Sequence, residues 1–537
     1  MNKIFEQLLE KRGLGEDFLH PVYEKLEDPF LLPDMDKAIS RIELAVSRGE
    51  KVLIYGDYDV DGVTASTVMK DALMLAGIKN VEIMLPNRFT DGYGMSKRII
   101  KRAVDNEISL VVTVDCGSSN AEIVDELNKN GIDVVVTDHH ECPEVLPNAI
   151  AVVNPKRPEY TGFSNIAGVG VAFKVAQGLV SRGLIPEGQE KWLLDLVVLG
   201  TICDSMPLLK ENRILGYYGM KVLAKTRRAG LTQLMKTASI KKIDSGSIGF
   251  QIGPRLNAAG RIKSPEVALE LLNTKSGAEA AKLAYELEGL NGERKRVQVG
   301  AVKEIAERGI GDEKVIVACG DWHEGVLGII AGRLVEEYGR PAFVLSEVEE
   351  GILKGSGRSF GDFNIKMALD NCRDLIISGG GHAEACGVKL EKKNLVAFIE
   401  IINDYYRSLK LVDQEKYLKQ KVDLTVRRLD DFTIDLIDEL KLLEPFGDGN
   451  SEPVFKLENA TITERKRMGA EGQHLALVVK GEGDRALKML AFSASEKWMS
   501  FMEDDNVDVT FRLVENEWNG VRSVEGQILE IVGNYAE

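Results

Sequence analysis

Three short apolar runs in the first third of the chain each stop at an aspartate. KVLIY (51–55) runs into GDYDVDG (56–62), LVVTV (110–114) into Asp115, and DVVVT (133–137) into Asp138, His139 and His140. Between these runs the apolar spacing is helical, over 63–76 (closed by Gly77), 97–106 and 121–130 (closed by Gly131), with further strand-like runs at 81–85 and 150–153. Strands alternating with helices through short loops are βαβ units, which demand a parallel sheet with helices on both faces. Ligands of such sheets bind beyond the carboxyl ends of the strands, so acidic groups distant in sequence are expected to meet there.

The rest of the chain is organised differently. Residues 1–45 read as a helical extension without legible chemistry. The stretch 187–223 is helical and apolar, and Asp204 follows its VVLGTIC segment. Residues 264–308 read as one long charged helix, a connector. Residues 309–410 alternate again around a glycine cluster and predict a smaller α/β domain. From Lys421 onward, short β-runs separated by turn residues predict a barrel of the OB type over 411–537. The fold class is therefore α/β, with a parallel-sheet domain over 46–263, the helical connector, the smaller α/β domain and a C-terminal β-barrel (OB-fold).

Composition narrows the setting. Hydrophobic residues make up 44% and charged residues 28% of the 537, an ordinary globular balance. No apolar run is long enough to span a bilayer, and the opening MNKIFEQLLEKRG reads as an amphipathic helix, not a secretory signal. Six scattered cysteines without a CxxC pair fit a reducing compartment, and a cytoplasmic location is expected. The net charge of −16 excludes a broadly basic surface, so any nucleic acid must be held on one local face.

Asp57, Asp59, Asp61, Asp115, Asp138 and Asp204, with His139 and His140, form the candidate centre. One such aspartate after a strand is usually a turn former. Three consecutive strand exits of this kind are not explained by turns. Carboxylates brought so close repel unless a cation lies among them. Oxygen donors with one or two imidazoles suit Mn²⁺ or Mg²⁺ better than zinc. Two such ions about 3.5–4 Å apart can clamp an in-line phosphoryl displacement.

DYDVDG, DCG (115–117), DHH (138–140) and CDSMPL (203–208) resemble, in order, the four signature motifs of the DHH phosphoesterases. The resemblance implies that Asp57, Asp59, Asp61, Asp115, His139 and Asp204 bind two divalent cations, Mn²⁺ or Mg²⁺. It makes Asp115 the bridging carboxylate, has Asp138 and His140 support the catalytic site, and makes His140 the candidate to touch the scissile phosphate. Small-substrate branches place a histidine before these aspartates, where this chain has Tyr55, Gly56 and Asp57. GGGHAEACG (379–387) is similar to the glycine signature of the DHH-associated domain. PNR (86–88) with the 91–94 turn, GPRLNAAGR (253–261), DWHEGV (321–326), SGRS (356–359) and LEPFG (443–447) resemble the RecJ-like branch.

That branch implies a single-strand-specific 5′-to-3′ DNA exonuclease of repair and recombination, releasing 5′-mononucleotides. Arg88, Ser356 and Arg358 are then the candidates for gripping the 5′-phosphate. Arg255, Asn257 and Arg261 would hold the strand, and His323, Gly380, Gly381 and His382 would line the phosphate pocket. Tyr58, Phe89, Tyr93 and Trp322 are candidates for base stacking, and the strip Glu464–Arg467 for a basic patch, which otherwise reads as a solvated turn. Cys116, Cys142 and Cys203 adjoin proposed ligands, so thiol reagents are expected to impair activity unless these cysteines are buried fillers. A single-strand-binding protein or a helicase is the natural partner, with no membrane association, and a monomer is expected. The rival readings are a DHH phosphodiesterase of short oligonucleotides, cyclic dinucleotides or pyrophosphate, and a non-catalytic repair scaffold.

Overall fold

Four of the five strands in the first sheet bury nearly every residue, because helices cover both of its faces. These strands are β1 (Val52–Tyr55), β3 (Leu110–Val114), β4 (Asp133–Thr137) and β5 (Ala151–Val153). Two-sided burial explains why their sequences read as continuous apolar runs rather than alternating ones. With the half-buried β2 (Val81–Met84) they form a wholly parallel sheet in the order β2-β1-β3-β4-β5. The strand order reverses between β1 and β3, which opens the crevice where such sheets bind ligands. The structure, a computed structural model, describes residues 1–534 apart from 93, 413, 418 and 419. Tyr93, a stacking candidate, thus lies outside the described residues.

The helix Val60–Leu75 begins before its apolar spacing does. Asp59 caps it, its Oδ1 accepting the Gly62 N–H at 3.1 Å. The expected single helix over 264–308 is two, Glu266–Asn273 and Gly277–Arg308. The break has a local cause, since Ser276 caps the second helix by accepting the Glu279 N–H. A second sheet follows, ordered β6 (Ile316–Gly320), β7 (Ala342–Glu349), β8 (Ile352–Arg358), β10 (Ala385–Glu391) and β9 (Ile376–Gly381). Only the β6–β7 pair is parallel. Among the described residues no helix is long and apolar enough to cross a membrane.

The chain divides into two compact units. One comprises Glu27–Met206 and Tyr218–Leu418, and holds both sheets just described. The other comprises Met1–Leu26, Pro207–Tyr217 and Lys419–Glu537. In it, β12 (Phe455–Met468), β13 (His474–Lys480), β14 (Ala486–Ala491), β16 (Val521–Gly533) and β15 (Asn506–Trp518) close into a barrel through the β12–β15 pair, with β11 (Leu424–Val426) parallel to β12. Phe432, Phe455 and Phe511 pack in its core, one pair edge-on and two tilted. The helix Lys3–Arg12 buries Ile4, Phe5, Leu8 and Leu9 in that same core, so the opening residues belong with the barrel. Glu464–Arg467 lies inside β12, not in a turn.

Arg213 ties this second unit together. It is buried, stacks on Phe18 at 3.7 Å, and donates to the carbonyls of Phe18, Leu442 and Leu443 at 2.7, 2.9 and 2.9 Å. Burial depresses its guanidinium to about 10. Removing it would take the donor from three carbonyls at once, that of Leu443 fully buried. Arg213→Ala is therefore expected to destabilise the barrel unit by about 2–3 kcal/mol, measured as a shift in its thermal unfolding with metal binding retained.

Candidate metal centre

Asp115 leaves β3 at φ 59°, a left-handed conformation that costs a non-glycine residue on the order of 1 kcal/mol. The turn is pinned from two sides. The Thr113 hydroxyl donates to the Cys116 carbonyl at 2.7 Å, and Gly117, at φ 115°, completes the reversal. Gly168 closes over the top, where an added Cβ would lie 2.6 Å from Asp115 Cβ. The Asp115 carboxylate is thereby aimed into the crevice between β1 and β3.

The four sequence motifs meet around it. His139 Nε2 lies 3.0 Å from Asp115 Oδ1 and 3.7 Å from both Asp61 Oδ2 and Asp204 Oδ2. Asp61 is fixed by the start of the helix Gly168–Ser181, its two oxygens accepting the Gly168 and Val169 N–H groups at 2.6 and 2.8 Å. Among the described residues three donor sets result, Asp57/Asp59/Asp115, Asp61/His139/Asp204 and Asp115/His139/His140, and each has its ligand atoms within 4.8 Å of one another. Asp57 Oδ1, Asp115 Oδ1 and Asp204 Oδ2 are buried without a hydrogen bond. Orphaned carboxylate oxygens facing one another are what a hard divalent cation satisfies. Tyr55 belongs to the stretch where small-substrate branches place a histidine. Its buried hydroxyl accepts the Ser96 N–H and donates to the Gly94 carbonyl, so it is structural.

The charges of the metal-free centre follow from this crowding. Burial first, then repulsion from Asp59, raises Asp57 to about 8 and Asp61 to about 7. Burial and the Asp61 charge raise Asp204 to about 8 and hold Asp115 well above the carboxylate range. Asp138 behaves oppositely. Burial pushes it up but is outweighed by the His140 hydrogen bond and charge and by the Ser118 N–H, so it falls to about 2. Its Oδ1 takes the N–H groups of His139 and His140 and lies 2.8 Å from His140 Nδ1, and its Oδ2 takes Ser118 N–H at 2.9 Å. Burial would lower His140 too, yet Asp138 lifts it to about 9, while burial and its cationic neighbour hold His139 near 4. One histidine is thus a neutral donor and the other a cation.

Three arginines crowd the same side of the unit. Arg88 follows β2 and lies over the Tyr58 ring at 4.1 Å, its Nε buried and unpaired. Arg358 ends β8, and a Cβ on Gly328 would meet its Nη2 at 2.8 Å, which places it at the first turn of the helix Leu327–Tyr338. Burial, then the charges of Arg88 and Arg358, lower Arg261 to about 10. Ser356 shares the Arg358 face of β8, two residues away. His323 is exposed, packs edge-on against Phe89 at 5.3 Å and accepts the Gly325 N–H through Nδ1. Guanidinium groups this close repel, so the cluster is suited to an anion.

Other expected residues are placed differently. Arg255 is paired to Glu288 at 2.5 Å and to the Gln251 carbonyl. Asn257 Oδ1 accepts the Val60 N–H at 3.2 Å, bracing the first motif. Trp322 is core, with its Nε1 donating to Glu304 at 2.8 Å. Gly380 and Gly381 lie on the edge strand β9 and the exposed His382 in the hairpin after it. Cys116 is buried with its thiol pushed far up by burial, and burial raises Cys203 likewise, so neither is primed for thiol reagents. Cys142 is only partly buried.

Sequence reasoning overlooked Asn154. It follows β5, donates through Nδ2 to the Ser118 hydroxyl and the His140 carbonyl at 3.0 and 2.9 Å, and so binds three strand exits together. The rule that flagged Asp115 and Asp138, a polar residue just past a buried strand, applies equally to it.

Comparison with known proteins is consistent along the chain. Sequence models match for the DHH family, N-terminal domain, over 51–201, the DHHA1 domain over 312–408 and the RecJ OB domain over 422–530. The single-stranded-DNA-specific exonuclease RecJ of Bacillus subtilis is 36% identical over 95% of this chain, which spans 66% of that protein. Its counterpart in Haemophilus influenzae is 33% identical over 93% of this chain and 90% of its own length. The structure of RecJ in complex with Mn²⁺ from Thermus thermophilus superposes with a TM-score of 0.86 at 29% identity, covering 100% of this chain and 76% of that one.

The carboxyls of the centre titrate near 4 when unfolded but near 7–8 in the folded, metal-free state. Between those values the folded state holds more protons, so stability falls as pH rises. His140, raised to about 9, acts in the same direction above about 6.5. His139, held near 4, opposes this only below about 6.5. Metal-free protein is expected to melt lower at pH 8 than at pH 6.5, and saturating Mn²⁺ is expected to reverse that order, as read by thermal unfolding with and without chelator.

Proposed function

Because the chain belongs to the RecJ family of DHH phosphoesterases, we propose that it is a metal-dependent exonuclease that degrades single-stranded DNA from the 5′ end to 5′-mononucleotides, in repair and recombination. The observation that carries this reading is the pairing of an acidic centre with unsatisfied buried oxygens and a guanidinium cluster in the same unit. The first suits divalent cations and the second a terminal phosphate. In this reading residues 46–263 form the catalytic domain, 264–308 the connector, 309–410 the DHH-associated domain and 411–537 the barrel that carries the strand. The protein acts as a monomer in the cytoplasm, beside a single-strand-binding protein or a helicase.

Asp57, Asp59 and Asp115 would hold one cation, and Asp61, His139 and Asp204 the other, with Asp115 shared. Mn²⁺ or Mg²⁺ bound there supplies an activated water and neutralises charge on the phosphoryl oxygens. The chain's own residues do the rest. Asp138 keeps His140 protonated, so His140 presents positive charge and a donor to the scissile phosphate. Arg88, Arg261, Arg358, Ser356 and His323 hold the 5′-phosphate and set the polarity. The backbone of Gly380, Gly381 and His382 lines the far side of that pocket. Arg255 and Asn257 act indirectly, Asn257 keeping the 253–262 helix against the first motif and Arg255 tying that helix to Glu288 of the helix Gly277–Arg308.

The test uses a long single strand labelled at either end, with Mn²⁺, Mg²⁺ or chelator. Metal-dependent release of the 5′ label as mononucleotide, with blunt duplex spared, is expected. Cleavage confined to dinucleotides would overturn the reading, and so would release from the 3′ end. Asp115→Ala is expected to lower kcat at least about 10³-fold. Arg358→Ala is expected to raise KM for 5′-phosphorylated strands about 10- to 100-fold, with a much smaller effect on 5′-hydroxyl strands.

A further inference from the structure

Phe250 is 82% exposed although its neighbours Ile248 and Ile252 are fully buried. It sits in a π-helical turn, Ile248–Ile252, inserted between Ser245–Ser247 and Gly253–Ile262 in one continuous helical segment. π-turns are rare and concentrate at functional sites. A reciprocal cap precedes this one, with Ser247 N–H donating to Asp244 Oδ1 and Asp244 N–H to the Ser247 hydroxyl.

The segment lies along the metal centre. A Cβ on Gly253 would fall 2.4 Å from Cys203 Sγ, and one on Gly249 would contact Ile202 at 3.9 Å. Both neighbours immediately precede Asp204. Farther on, Asn257 accepts the Val60 N–H, and a Cβ on Gly260 would meet the Tyr58 carbonyl at 2.9 Å. Residues 249, 253 and 260 thus form the packed line. Phe250 follows Gly249 in that line, and its 82% exposed ring points away from the packed side into solvent. It lies 11 residues before Arg261, about 16 Å along the axis. The segment therefore carries an aromatic ring near its start and a member of the arginine cluster near its end.

We propose that Phe250 is a base-stacking subsite for single-stranded nucleic acid on the 3′ side of the scissile bond. The inference rests on the nuclease reading and adds a contact to it. With the 5′-phosphate on the arginines, the strand passes the metal centre and reaches Phe250. There a ring held by a rigid helix stacks on a base whatever its identity. The exposed ring is thereby used, and grip is gained without sequence preference.

The test compares wild type with Phe250→Ala and Phe250→Trp in the full chain. On a long oligothymidylate with Mn²⁺, Phe250→Ala is expected to raise KM about 10-fold with kcat nearly unchanged, and Phe250→Trp to restore it. Dinucleotide hydrolysis, which cannot span the distance, is expected to be equal in all three. A strand carrying one abasic position is expected to slow wild type at a single register and to leave Phe250→Ala indifferent. Phe250→Trp emission is expected to be quenched by the strand. Equal KM for wild type and Phe250→Ala with unquenched tryptophan would overturn the subsite while the nuclease reading stands. Failure of wild type to bind or cut any long strand would overturn both.

Discussion

Mutual repulsion among buried carboxylates around Asp115 governs this molecule. The parallel sheet delivers acidic residues from β1, β3 and β4 to one crevice, and the helix ending at Cys203 adds Asp204. Among the described residues nothing fully neutralises them. The cation among the four motifs is His140, which Asp138 holds. The surrounding structure therefore acts to hold charges where they do not wish to be. A left-handed aspartate, a glycine closed over it and a helix N-terminus clamped on Asp61 all serve that end. Such strain persists where the fold over-determines it, and a cation among the carboxylates relieves their repulsion.

A second organising feature is the opposition of sign within one unit. The acidic centre and the arginines Arg88, Arg261 and Arg358 come from separate segments, the last from the second sheet. The 253–262 helix braces the first motif through Asn257 and touches the 324–326 turn, where a Cβ on Gly325 would strike the Arg261 carbonyl at 1.9 Å. One helix thus gauges the distance between the elements that carry anions and those that carry cations. The net charge of −16 concealed this, because a total says nothing of local grouping.

Much of this was legible in the sequence. Fully buried strands read as unbroken apolar runs, and each ended on a residue too polar to be core, so sheet class and metal donors came together. The barrel strands were equally plain. Other features depended on tertiary facts that no local pattern carries. The break at Ser276 is a capping choice within a charged helical stretch. Trp322 looks like a cleft aromatic by its neighbours, yet its ring fills the core beneath the helix Leu327–Tyr338. Arg255 and Arg261 stand in one motif, but Glu288 claims only the first. Phe250 gives no sign of its exposure, since a π-turn shifts the phase that helical periodicity assumes. That the opening helix joins the barrel is a contact of the highest sequence separation, beyond the reach of local patterning.

In the proposed function the carboxylate cluster is neutralised by two cations, with Asp115 serving both. Calorimetric titration of chelator-treated protein with Mn²⁺ tests it most directly. Two sites per chain with proton release on binding are expected, and the loss of at least one site in Asp115→Asn. A wild-type protein that binds no Mn²⁺, or an Asp115→Asn variant that binds two as tightly as wild type, would contradict it.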